Sequence, residues 1–318
     1  MSSSRYIVFA LFLSLAVAVD ARAQVNDTYV IPVSASLPGD FGTFWSTEFN
    51  IFNPQSHALK VRLIFLPTLT GQAIQVTVPV AANSNAWAQD VLDEVFDESG
   101  TGALLVATFP EDNPGVPDDV LSRSFLVNTK TFNNARTGTF GQFVPAVWNG
   151  LLDFDSDGIT SIAHGIRNGG SSNFRTNVGA ANLGRSTATL KVAVYDAAGR
   201  LIDTVPFIIP FMGHLQQRLP VSVDHGSVEF FLNDPSQEAV VFPYVSIIDN
   251  TSGDAVYMSP VLLASPSVLF QKAAAHQELG KKIGLETARA VAASARDLGL
   301  AGMVSTENGA RIGRPSGI

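Results

Sequence analysis

The chain has no cysteine in its 318 residues. That excludes a disulfide framework, a thiolate metal centre, a cysteine nucleophile and a lipid-modified N-terminal cysteine, leaving burial and backbone pairing to supply stability. Charge is also scarce, at 15% of residues, and its balance is −8. An acidic surplus disfavours nucleic acid and anionic membranes as partners. The five histidines, His57, His164, His214, His225 and His276, are scattered without metal-ligand spacing. No HExxH, nucleophile elbow or phosphate loop is present, so no catalytic residue is assigned and the chain reads as a non-enzyme. Beyond the first residues there is no apolar run of the ~20 residues that a spanning helix needs.

That first stretch reads as an export signal. Arg5 precedes the apolar run from Ile7 to Val19, and Ala21-Arg22-Ala23 places small residues at the cleavage positions, which predicts cleavage after Ala23. Losing Arg5, Asp20 and Arg22 leaves 18 basic and 27 acidic side chains, a balance of −9. The expected location is secreted or periplasmic, with no integral membrane span after signal removal.

Apolar residues make up 46% of the chain, with 26 Gly and 17 Pro, which suits short strands separated by turns. Trp45, Thr47, Phe49 and Ile51 alternate with Ser46, Glu48 and Asn50, the period of a strand with one buried face. Val61, Leu63 and Phe65 repeat the alternation, with Lys60 and Arg62 on the other side. The segment then recurs: Trp45, Thr47, Phe49 and Asn53 match Phe174, Thr176, Val178 and Asn182 at a constant offset of 129, as Val61, Leu63 and Phe65 match Leu190, Val192 and Val194. Pro210 can be set against Pro79 only at 131, implying about two inserted residues, and Asn134 matches Asn250 at 116. The Pro-interrupted run from Val205 to Pro210 suits an edge strand.

The predicted fold is therefore all-β: two tandem antiparallel β-sandwich (immunoglobulin-like) domains, residues 24–148 and 159–268, joined by an Asp-rich linker at 149–158. A single large barrel is the competing architecture. Residues 269–303 change character: the Ala-rich stretch places Leu279, Ile283, Val291 and Leu298 on one face of a short C-terminal helical segment, followed by a frayed tail at 304–318.

The phrase Phe174-Arg175-Thr176-Asn177-Val178, with Asp196-Ala197-Ala198-Gly199 and Val245 to Asp254 after it, resembles a repeat of uncharacterised secreted bacterial proteins. The resemblance spans residues 160 to 263 well and 29 to 147 weakly. It implies paired immunoglobulin-like or fibronectin-like sandwiches and export, and is nearly silent on function.

Three local features bear on chemistry. Asp153, Asp155 and Asp157, followed by Gly158, match the first half of a calcium loop, but the twelfth position is His164 rather than a bidentate Glu; a calcium site and a solvated turn are the two readings. Thr176, Asn177, Asn182, Asp249 and Asn250 form either a polar ligand site or a set of backbone-bonding caps, with Arg175 as a surface charge. Trp45, Trp87 and Trp148 are stacking platforms for sugar rings or core aromatics, with Trp45 on the buried alternation and Trp148 nearest the surface. The expected function is an exported structural or adhesive module acting through surface contacts. The alternatives are a carbohydrate-binding protein and a hydrolase with a dispersed Ser-His-Asp set.

Overall fold

The computed structural model describes residues 27–135, 138–147, 151–152, 160–169, 173–232 and 239–263. The export signal, Trp148, Asp153, Asp155, Asp157 and the C-terminal helical segment lie outside the described residues.

Within them the chain is all-β and antiparallel. Unit one contains β1 (Thr28–Pro38), β2 (Phe44–Asn53), β3 (Leu59–Pro67), β4 (Ile74–Val80), β5 (Ser84–Ala88), β6 (Gly100–Ala107), β7 (Leu126–Ala135) and β8 (Gly138–Val144). Unit two contains β10 (Thr160–Asn168), β11 (Phe174–Asn182), β12 (Ala188–Tyr195), β13 (Leu201–Ile209), β14 (Gly213–Arg218), β15 (Val223–Leu232), β16 (Val240–Asp249) and β17 (Ala255–Met258). The short β9 (Leu151–Leu152) pairs with β16, and β18 (Val261–Leu263) pairs with β10.

Each unit is a sandwich of the same plan. In unit one β4-β3-β6-β1 faces β5-β2-β7-β8, and in unit two β13-β12-β15-β10 faces β14-β11-β16-β17. β1 joins both sheets of its unit, pairing with β6 along most of its length and with β2 at Leu37 and Pro38. The inner five strands, β2 to β6, keep immunoglobulin order. The flanks are modified: β1 sits beside β6, where the last immunoglobulin strand would be, and β7 sits beside β2 in the place of the first.

The duplication is visible in the registers. Phe49 lies opposite Ala88 and Thr129, and Val178 lies opposite Gln217 and Val245. Both side chains are buried, each within its own unit's core. Leu59 opposes Val80 as Ala188 opposes Ile209, so the offset of 129 runs through β4 and β13 unbroken. The match of Pro210 with Pro79 is thereby corrected: Pro79 corresponds to Ile208, Pro210 corresponds to Ala81, and nothing is inserted. The left-handed turn that follows is kept too, with φ 49° at Asn83 and 50° at Met212. Unit one adds the helix Val91–Phe96, capped by Asp90, whose side chain accepts from Leu92 N and Asp93 N.

Two findings depart from the alternation. Leu63, Ile64, Phe65 and Leu66 are all buried, as are Ala103, Leu104, Leu105 and Val106, so β3 and β6 are covered on both faces. The second cover is unit two: Ala181, Leu183, Met212 and Phe242 pack on Val30, Ile64, Leu66, Ala103 and Leu105. Beside them Ile248 and Ala255 pack on Ala35 and Trp45. Tyr244 of β16 belongs to unit one's main core cluster. The second departure is Arg62, which lies buried rather than outward. The loop after β6 folds over it, with Nε 2.8 Å from Asp112 Oδ2 and the guanidinium 4.3 Å from the Phe109 ring centroid.

Candidate functional site

Of the polar set around β11 and β16, Thr176, Asn182, Asp249 and Asn250 are spent on structure, and Asn177 is half-buried. Asn182 is fully buried, its amide donating to Ser186 O, Ile209 O and Pro210 O at 2.8–3.1 Å while its oxygen accepts from Gly184 N. Asn53 repeats this with His57 O, Val80 O, Ala81 O and Gln55 N. Thr176 donates from Oγ1 to Arg167 O, as Thr47 does to Ala35 O, each tying one sheet of its sandwich to the other. The Asp249 carboxylate accepts from Thr251 N and Ser252 Oγ, and these bonds hold its pKa below the usual range. Arg175 is not a surface charge. It lies buried between the units, Nη1 donating to Asn250 Oδ1 at 2.7 Å and Nε 3.5 Å from Asp40 Oδ2, with desolvation lowering its pKa.

The histidines are dispersed. His57 bonds Ser122 O, His225 is exposed beside Asp224, and His164 is exposed. His214 is fully buried between the units. Among the described residues no group of three or more His, Asp or Glu is placed to hold a metal ion.

The surface with a chemical character of its own is the outer face of β5-β2-β7-β8. Strand alternation sends Phe49 and Ile51 inward and leaves Glu48, Asn50 and Phe52 outward. Neighbouring strands align these into rows. One row is Trp87, Asn50 and Asn128; the next is Asn85, Phe52 and Leu126; a third is Glu48, Lys130 and Phe143. Trp87 is 38% exposed, Leu126 38% and Phe143 60%, while Asn50 and Phe52 are half-buried. Rings therefore alternate with neutral amides, and the two charges in the third row stand opposite each other. Of the three tryptophans, Trp45 is buried at the joint and Trp87 stands outward. Sequence periodicity had separated Trp45 from the others but could not show which face of β5 would remain uncovered.

The equivalent face of unit two, on β14-β11-β16-β17, is the one that packs on unit one. At the registers of Asn50 and Phe52 it carries Gly179 and Ala181, and Gln216 stands where unit one has Trp87. Small residues allow two sheets to approach. Gly179 has no room for a side chain, since a Cβ there would lie 2.3 Å from Tyr244 Cζ. In unit one the same positions project rings and amides.

Compared with protein-family models and with curated proteins, the sequence matches none. Among solved structures, a Bacteroides uniformis β-glucuronidase 2 bound to a cyclophellitol aziridine overlaps 75% of this chain and 26% of its own, at 13% identity and TM-score 0.16. Squid arrestin overlaps 74% and 90%, at 8% identity and TM-score 0.10. The chain thus spans about a quarter of the glucuronidase, and at these TM-scores neither likeness bears on fold or function.

Proposed function

We propose that this is an exported, non-catalytic adhesive module that binds glycans on the outer face of β5-β2-β7-β8. The carrying observation is the alternation of Trp87, Phe52 and Leu126 with Asn85, Asn50 and Asn128 on a face whose twin in unit two is consumed by the joint. An exposed ring offers a flat apolar platform to the C–H face of a sugar, and an amide both donates and accepts, as hydroxyls require. The opposed Glu48 and Lys130 leave the face without net charge, which fits a neutral ligand better than a charged protein surface.

Screening the protein against immobilised neutral oligosaccharides tests this. Trp87→Ala should weaken the bound glycan by about 2 kcal/mol, roughly thirtyfold in Kd, with the melting temperature unchanged. A wild-type protein that retains no neutral glycan, or one whose binding is untouched by Trp87→Ala, defeats the proposal.

A further inference from the structure

We propose that His214 makes the joint between the two units acid-labile, so that entry of a proton at its imidazole loosens the contact of β14 with the end of β3. The ring lies at 0% exposure where the units meet. Its Nδ1 is 2.7 Å from Thr68 Oγ1 of unit one and its Nε2 is 2.9 Å from Tyr244 Oη of unit two, with the two rings stacked at 5.9 Å. Backbone bonding crosses the joint at the same point, Leu69 N donating to His214 O at 3.0 Å.

The neutral ring satisfies every neighbour. Nε2–H donates to Tyr244, whose hydroxyl donates to Gln216 Oε1 at 2.8 Å, and Nδ1 accepts from Thr68, which lies 2.8 Å from Thr101 Oγ1. A second proton could be hydrogen-bonded if Thr68 turned to Thr101 O, 2.9 Å away, but its charge would have no counterion. The titratable groups on the surrounding sheet face are Tyr244 and Tyr257 from β16 and β17, and Arg175 and Arg218 from β11 and β14. From unit one, β3 and β6 present Leu66, Thr101 and Ala103, and Thr68 follows directly on β3. None of these is a carboxylate, and Asp40 lies against Arg175. Burial accordingly pushes the imidazole down from 6.5 to about 3.

The sign follows from linkage. The opened joint takes up a proton that the closed joint refuses between pH 6.5 and about 3, so closure is favoured fully above pH 6.5 and is lost as pH falls through that window. The ratio of open to closed should rise roughly tenfold for each pH unit across it. This is independent of what binds the outer face of β5-β2-β7-β8.

Hydrogen exchange of the Leu69 amide, corrected for its intrinsic pH dependence, reads the opening directly. Between pH 6 and 4 its protection should fall about tenfold per unit in the wild type. In His214→Gln, whose amide can bond Thr68 and Tyr244 without titrating, it should stay level. Equal slopes in the two proteins, or a level wild-type profile, overturn the proposal. If His214→Gln fails to fold, NMR titration of the wild-type imidazole decides: protonation should coincide with loss of Leu69 protection, whereas a ring that titrates near 6.5 with protection intact overturns it.

Discussion

The asparagine at the end of β2, and its twin at the end of β11, show how one side chain can close a turn that the backbone leaves open. Asn182 takes three carbonyls and one N–H, of which Ile209 O and Gly184 N are in buried bonds. Asn182→Ala should cost about 2–4 kcal/mol in denaturant unfolding, because each orphaned buried group carries its own desolvation penalty. Asn182→Asp should be worse, since it turns a buried carboxylate toward three carbonyl oxygens. Sequence periodicity placed Asn53 and Asn182 as equivalents, and a backbone-bonding role for Asn182 was one of two readings open there. Their partners at Val80 and Ile209 could not be read, because only the returning strand brings them within reach. Arg175 was misplaced for a related reason: alternation says that it leaves the sandwich interior, but not that another sheet waits outside.

Strand packing at the joint turns on Gly179, where the backbone of β11 passes beneath the Tyr244 ring. Gly179→Ala should force Tyr244 aside and lower stability by about 1–3 kcal/mol, readable as a fall in melting temperature. Much of the element plan was legible. Strands β2, β3, β11 and β12, the repeat offset through β2 and β3, and the Pro-bearing edge strand β13 all follow from period-two patterning and turn residues. The strand order was not legible, since β1 and β7 exchange places without any change in alternation. The joint itself was written in the unbroken apolar run Leu63 to Leu66, a signature of a strand covered on both faces that alternation of Val61, Leu63 and Phe65 overshadowed.

At the scale of the molecule the two sandwiches are not beads on a string. Unit one expressed alone, as residues 24–148, would present Ile64, Leu66 and Leu105 to water and lack Tyr244 from its core. It should associate in sedimentation experiments at concentrations where the whole chain is monomeric, because an exposed apolar patch of that kind seeks cover. The opposite problem, unwanted growth of a sheet from its rim, is met by Pro79 and Pro206. These sit on the end strands β4 and β13, which pair with β3 and β12. A proline nitrogen has no hydrogen to offer a passing chain, so a stranger's strand cannot zip along either margin. The margins at β4 and β13 are thereby closed to strand addition from a neighbouring chain.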